Sequence, residues 1–213
     1  AGEQASLIVK RYRSGEINAV ECLSQECAAL GDVVPGVLET FVGQCDLDAF
    51  FPPFVAFCER HKIPVTILSD GLDFYVESLL KKHGLERLPW FANHAEFVSD
   101  DGVTKLKPSF PYRSEHCEQC GNCKRNHMLP SSADDDTLIY VGDGISDRCA
   151  VRYADVVFAK ADLIRYCQSQ NISFHEFRDF RDVKARMERI LQQGRLTPRR
   201  EARMARRDAF IAE

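Results

Sequence analysis

TLIYVGDGISDRCAVRYADVVFAK, residues 137–160, is the stretch that decides the fold. An apolar run at 138–141 stops at Gly142-Asp143-Gly144, a segment of helical character follows Ile145, Ser146 and Asp147, and a second apolar run spans 156–159. The order is strand, loop, helix, strand. Apolar runs this short and unbroken, separated by a helix, suit parallel strands covered on both faces. The fold class expected is therefore α/β, with a doubly wound parallel sheet. Ligands of such sheets sit at the carboxyl ends of strands. Asp143 and Asp147 would stand there, two acids close enough to share one cation, and hard oxygen ligands of this kind suit Mg2+. The plainer alternative is a turn solvated by Asp143, with Ser146 or Asp147 capping the next helix.

Around that stretch, 213 residues suffice for one sizeable domain with a small insert or cap. A net charge of −4 argues against general nucleic-acid binding, and no apolar run reaches membrane-spanning length. Nine cysteines, an odd number spread through apolar segments, read as reduced thiols in a cytoplasmic protein rather than a disulfide framework. Residue 1 is Ala, so the start of translation is expected upstream.

Residues 1–48 read as a small helical cap. Asn18 with Glu21 is a capping pair, opening a helix with Val20, Leu23, Cys27 and Leu30 on one face. Pro35 suits the first turn of another helix. Phe50, Phe54, Phe57 and Cys58 recur at helical spacing and read as core, and Cys22, Cys27, Cys45 and Cys58 as small buried hydrophobes. Asp46 or Asp48 reads as the cap of the helix that follows. Residues 49–193 would form the α/β core and 194–213 a basic helix or tail.

Within the core, IPVTIL at 63–68 is expected to be a buried strand running into Ser69-Asp70-Gly71 and a helix to about His83. A hydroxyl at a strand end, followed by the N–H groups of a helix start, is a phosphate-binding arrangement; a Ser or Asp helix cap is the alternative. WFANHAEF at 90–97 reads as a strand, Asp100-Asp101-Gly102 as a hairpin turn and 103–106 as the returning strand. Asn93 and His94 either face a substrate or are satisfied by the backbone. Cys117, Cys120 and Cys123 could fold round a structural Zn2+ with His116 or His127 as fourth ligand, or be free thiols in a tight turn. Beyond Lys160 come a helix at 162–170, a short strand near 173–174, a helix ended by Gly194, and a last helix opened by Thr197-Pro198. Its arginines, 199, 200, 203, 206 and 207, read as a solvated face or a subunit contact, as in a homodimer, with a nucleic-acid arm as the alternative.

SDGLDFYV, ANHAEF, the cysteine-rich stretch ending in Lys124, and GDGISD with Asp155 eight residues later together resemble the haloacid dehalogenase superfamily, in its phosphoserine-phosphatase-like branch. The resemblance implies a Rossmann-like core with a helical cap and an Mg2+-dependent phosphatase acting on a small phosphorylated metabolite. It implies that Ser69, with Asp70 and Gly71 shaping the loop, binds phosphate. It implies that Lys124 balances the phosphate and the carboxylates, that Asp143 and Asp147 serve the metal, and that Asp147 also steers Lys124. The superfamily's nucleophile motif, Asp-x-Asp followed by a glycine turn, is matched poorly by Asp46-Leu47-Asp48 and is expected ahead of Ala1. Without that aspartate no phosphoenzyme can form, so the alternative is an inactive binding or regulatory module.

Overall fold

The computed structural model describes residues 2–115, 117–133, 135–194 and 198–212. In chain order its elements are α1 (Gly2–Ser14), α2 (Ala19–Ala29), α3 (Pro35–Gln44), α4 (Phe51–Arg60), β1 (Ile67–Leu72), α5 (Asp73–Lys82), β2 (Trp90–Asp100) and β3 (Val103–Ser109). There follow α6 (Lys124–Met128), β4 (Ile139–Gly142), β5 (Val156–Ala159), α7 (Asp162–Ser169), β6 (His175–Glu176), α8 (Phe180–Gln193) and α9 (Arg200–Ala212). They fall into two units, residues 1–47 with 64–123 and residues 48–63 with 124–213.

In the first unit, local chemistry sets the helix starts. Asn18 Oδ1 accepts the Glu21 N–H at 2.9 Å and Glu21 Oε2 accepts the Asn18 N–H at 2.8 Å, the reciprocal capping box expected of this pair. Pro35 stands in the first turn of α3, where its missing N–H leaves no bond unmade. Of the apolar face expected of α2, Cys27 is buried and Leu23 packs against the core, while Leu30, just past the helix end at Ala29, is exposed; Cys22, also expected inside, is buried in a second cluster with Ile8 and Ile17. Cys45 is exposed as well, beyond the end of α3. Cys27, Val33, Leu72 and Leu106 form one core cluster, with Leu23, Leu38 and Phe74 against it, so helix, strand and hairpin residues share one interior.

β1 begins at Ile67, later than the apolar run suggests. Pro64 has no N–H for a ladder, and pairing with β2 starts only at Ile67 opposite Trp90. The parallel register then slips: Leu68 pairs with Phe91 but Leu72 with Asn93, so Ser69, Asp70 and Gly71 bulge from the ladder. β2 and β3 make the expected antiparallel hairpin, Asp100 opposite Val103. Asp101 and Gly102 both take positive φ, 47° and 79°, as the tightest hairpin turn requires and Asp-Gly favours.

The second unit carries the parallel sheet β4-β5-β6. All four residues of β5 are buried, matching an unbroken apolar run covered on both faces. Between β4 and β5 the chain makes two 3-10 turns, Ile145–Asp147 and Ala150–Arg152, in place of the expected α-helix. The Asp147 side chain folds back on the loop it follows, which tightens that turn. The α/β class holds, with the parallel pairs carried by two three-stranded sheets. Phe180 of α8 packs on Phe51 and Phe54 of α4, ring centroids 4.8 and 5.1 Å apart. Gly194, at φ 61°, ends α8, the left-handed position that glycine takes without a Cβ clash. Thr197 lies outside the described residues. The arginines of α9 and of the residue before it do not all face solvent: Arg199 Nη1 donates to the carbonyls of Val151 and Ala154, both at 3.0 Å, and Arg206 to that of Tyr153 at 2.6 Å.

Candidate active site

In the second unit, the carboxyl end of β4 gathers Lys124, Ser146 and Asp147 beside Asp143. Asp147 is 5 % exposed, and both of its oxygens are engaged. Oδ2 accepts the N–H groups of Asp143 and Gly144, each at 2.9 Å. Oδ1 accepts Lys124 Nζ at 2.5 Å and the Tyr140 hydroxyl at 2.7 Å. Burial alone would push the Asp147 carboxyl up. The Lys124 charge and hydrogen bond, with those from Gly144 and Tyr140, outweigh it and hold the group below its ordinary value. Lys124, equally buried, also donates to Ser146 Oγ at 2.9 Å. Gly142 makes the close approach feasible, since a Cβ there would lie 2.6 Å from Asp147 Oδ2 and 2.9 Å from a Tyr140 ring carbon.

Asp143 is exposed. Its N–H is held by Asp147 and its carbonyl accepts from Leu163 at 3.2 Å, while no hydrogen bond or ion pair among the described residues engages its carboxylate. That is a hard oxygen donor free to meet a cation at a strand's carboxyl end, and it fits Mg2+, which takes few protein carboxylates and keeps several waters. Asp147 is differently placed from the expectation of a direct ligand, because its oxygens already hold four donors. Asp155, last of the acids quoted around GDGISD, is turned to structure: its Oδ2 accepts the Leu138 N–H at 3.0 Å and its carboxylate pairs with Arg206.

In the first unit, the bulge after Leu68 is tied down from several sides. Ser69 Oγ accepts the Gly71 N–H at 3.1 Å. Asn122 donates its backbone N–H to Asp70 Oδ1 at 2.7 Å and its side-chain amide to the carbonyls of Ser69 and Phe91 at 2.9 and 3.0 Å. Asn93, fully buried, donates to the Asp70 carbonyl at 2.7 Å. Asn93 therefore braces the loop, and Asp70 Oδ1 ties it to Asn122. A Cβ at Gly71 would fall 1.1 Å from the Tyr75 hydroxyl, which hydrogen-bonds Ser69; burial pushes that phenol up, partly offset by bonds with the Leu72 backbone and Ser69. His94 turns to Asp73, with which its Nδ1 forms a short hydrogen bond, in a recess of about 360 Å³ that also includes Trp90, Ser109 and Tyr112.

Asp48 accepts the Phe50 N–H at 2.8 Å in the turn ahead of α4 and the Phe180 N–H at 3.1 Å, but the N-cap of α4 is Phe50, with no side-chain cap. Asp46 instead meets His83 Nε2 at 2.6 Å. Cys120 and Cys123 are buried and Cys117 half-buried; His116 lies outside the described residues. No group of three or more His, Cys, Asp or Glu among the described residues could hold a metal ion, so the zinc expectation has no support there. Sequence reasoning passed over Tyr140, Tyr75 and Asn122. A buried phenol inside an apolar run needs a partner for its hydroxyl, which was the available signal for Tyr140.

A family described as "Putative Phosphatase" matches residues 32–190. The chain belongs to that phosphatase family. Among its relatives is a 2-hydroxy-3-keto-5-methylthiopentenyl-1-phosphate phosphatase of Bacillus cereus (strain B4264), 27 % identical over 198 residues that span 90 % of this chain and 87 % of that one. Another of the same name, from Lysinibacillus sphaericus (strain C3-41), is 30 % identical over 70 % of this chain and 65 % of its own. Among solved structures, a phospho-aspartyl intermediate analogue of phosphoserine phosphatase aligns with TM-score 0.63 and 18 % identity, covering 85 % of this chain and 83 % of its own. A phosphoserine phosphatase from T. onnurineus aligns with TM-score 0.58 and 15 % identity, over 84 % and 78 %. Likeness at that identity speaks for the fold alone, and this chain shares the α/β fold of those phosphoserine phosphatases. Among the described residues no helix is long and apolar enough to cross a membrane.

Proposed function

We propose that the protein is an Mg2+-dependent phosphomonoesterase that acts on a small phosphorylated metabolite through a phosphoaspartyl intermediate. The observation that carries this reading is the buried Lys124–Ser146–Asp147 cluster beside the free carboxylate of Asp143, in a chain of a phosphatase family. Lys124 supplies a fixed positive charge to phosphoryl oxygens, and Asp147 orients it. In the first unit, Ser69 and the N–H groups of its loop are donors of the kind that binds phosphate. Asp143 would hold Mg2+, which when bound offsets the charge of the phosphoryl group. Pre-aimed charges of this kind are the largest part of phosphoryl-transfer catalysis.

A phosphoaspartyl intermediate requires an attacking carboxylate. Asp46 and Asp48 are poor candidates, one paired with His83 and the other holding the Phe50 and Phe180 N–H groups. Residues 1–48 are assigned as a helical cap. The names of the curated relatives make a methylthio-bearing enol phosphate the first compound to try.

The test is hydrolysis of p-nitrophenyl phosphate by this chain and by any extended form its reading frame encodes, each with and without Mg2+. Mg2+-dependent turnover by the extended form, lost in Lys124→Met and Asp143→Asn, is expected. Absence of turnover in both forms would remove the enzymatic reading and leave a phosphate-binding module.

A further inference from the structure

The Tyr140 hydroxyl and Lys124 Nζ share one acceptor, Asp147 Oδ1, at 2.7 and 2.5 Å. The other oxygen is already filled by two backbone N–H groups. Tyr140 is on β4 and 8 % exposed, so its ring cannot swing away from the carboxylate without leaving the interior. A carboxylate oxygen that accepts a second hydrogen bond gives up part of the electron density the first donor would otherwise meet. An ammonium group has three hydrogens. Lys124 directs one to Asp147 and one to Ser146, which leaves a third for a ligand.

We infer that Tyr140 is a positioning residue of the phosphate site: by sharing Asp147 Oδ1 it keeps the Lys124–Asp147 pair from closing on itself and holds the third ammonium hydrogen toward a phosphoryl oxygen. The inference rests on the proposed phosphate-binding role of Lys124, and its ligand is a tetrahedral phosphate-type oxyanion. Without the hydroxyl, Asp147 would draw Lys124 alone, and the ammonium would tilt toward the carboxylate and away from the ligand. Tyr140→Phe tests this with little change of volume, so packing is largely kept.

Two measurements on the full chain separate this inference from the reading beneath it. The first is inorganic phosphate affinity by 31P NMR in wild type, Tyr140→Phe, Lys124→Met and the double variant. A hydrogen bond to a charged group corresponds to roughly a tenfold change in affinity. Tyr140→Phe is expected to weaken phosphate about tenfold alone and to add nothing once Lys124 is Met. An additive loss in the double variant marks a merely structural tyrosine and overturns the inference. The second is the lysine ammonium 1H–15N spectrum, with the Lys124 signal assigned from Lys124→Met. Tyr140→Phe is expected to shift that signal, and an unmoved signal overturns the inference even where phosphate binds. If wild type binds no phosphate, the phosphate-site reading falls and the inference with it, whatever the ammonium spectrum shows.

Discussion

Arg206 reaches from α9 to Asp155, its Nη2 3.1 Å from the carboxylate, in a pair where the aspartate side chain is wholly buried and the arginine 11 % exposed. Asp155 Oδ2 also holds the Leu138 N–H, at the entry to β4. The C-terminal helix thus fastens the strand that presents Asp143. It lies beyond the residues matched by the family, 32–190. Removing one partner of a buried pair leaves the other charge without compensation, at a cost of about 3 kcal/mol or more. Arg206→Ala should lower the thermal midpoint by roughly 6–12 °C, read by circular dichroism, and Arg206→Lys should recover only part of it, since a lysine cannot also reach the Tyr153 carbonyl as a fork does.

Gly142 is required by volume rather than by backbone freedom. A methyl group there meets Asp147 Oδ2 at 2.6 Å and its Cγ at 2.7 Å, and neither can retreat while the Asp143 and Gly144 N–H bonds persist. Gly142→Ala is expected to destabilise by about 1–3 kcal/mol and to weaken phosphate at least tenfold, measured by urea unfolding and by 31P NMR. Near-wild-type affinity would show that Asp147 can shift without disturbing Lys124.

Local signals were the legible ones. The Asp101-Gly102 turn, the Asn18–Glu21 box, the Gly194 stop and the four buried residues of β5 each follow from a few adjacent residues. The Lys124–Asp147 pairing, 23 positions apart, was legible only through the order of motifs. What stayed hidden depended on distant partners. The start of β1 follows from where Trp90 pairs, and the burial of Arg199 and Arg206 from carbonyls about fifty residues earlier. One of Asp147's four hydrogen bonds comes from a tyrosine that hydrophobic patterning counts only as apolar.

Asp48 joins two helix starts. Its carboxylate accepts the Phe50 N–H at 2.8 Å and the Phe180 N–H at 3.1 Å, while Phe180 packs between Phe51 and Phe54. Asp48→Ala leaves both donors short of a partner and should cost about 1–2 kcal/mol. Asp48→Asn keeps an acceptor oxygen and should lose less than half of that. Equal losses from the two substitutions, in urea unfolding, would show that the charge matters more than the hydrogen bonds.

His94 supplies the pH dependence. Its hydrogen bond to Asp73, then the charge of that carboxylate, raise the imidazole above its ordinary value. A group whose folded value is raised binds its proton more tightly folded than unfolded. Its stabilisation is therefore complete below the unfolded value of about 6.5 and fades as pH rises through the higher folded value. Asp73 also accepts the Ala95 N–H at 3.1 Å, so the α5 start stays tied to β2 when the histidine is neutral. Comparing thermal midpoints of wild type and His94→Gln from pH 5 to 9 should give a gap that is widest at the acid end and narrows toward the alkaline end. A gap that stays constant across the range would mean that His94 contributes only packing.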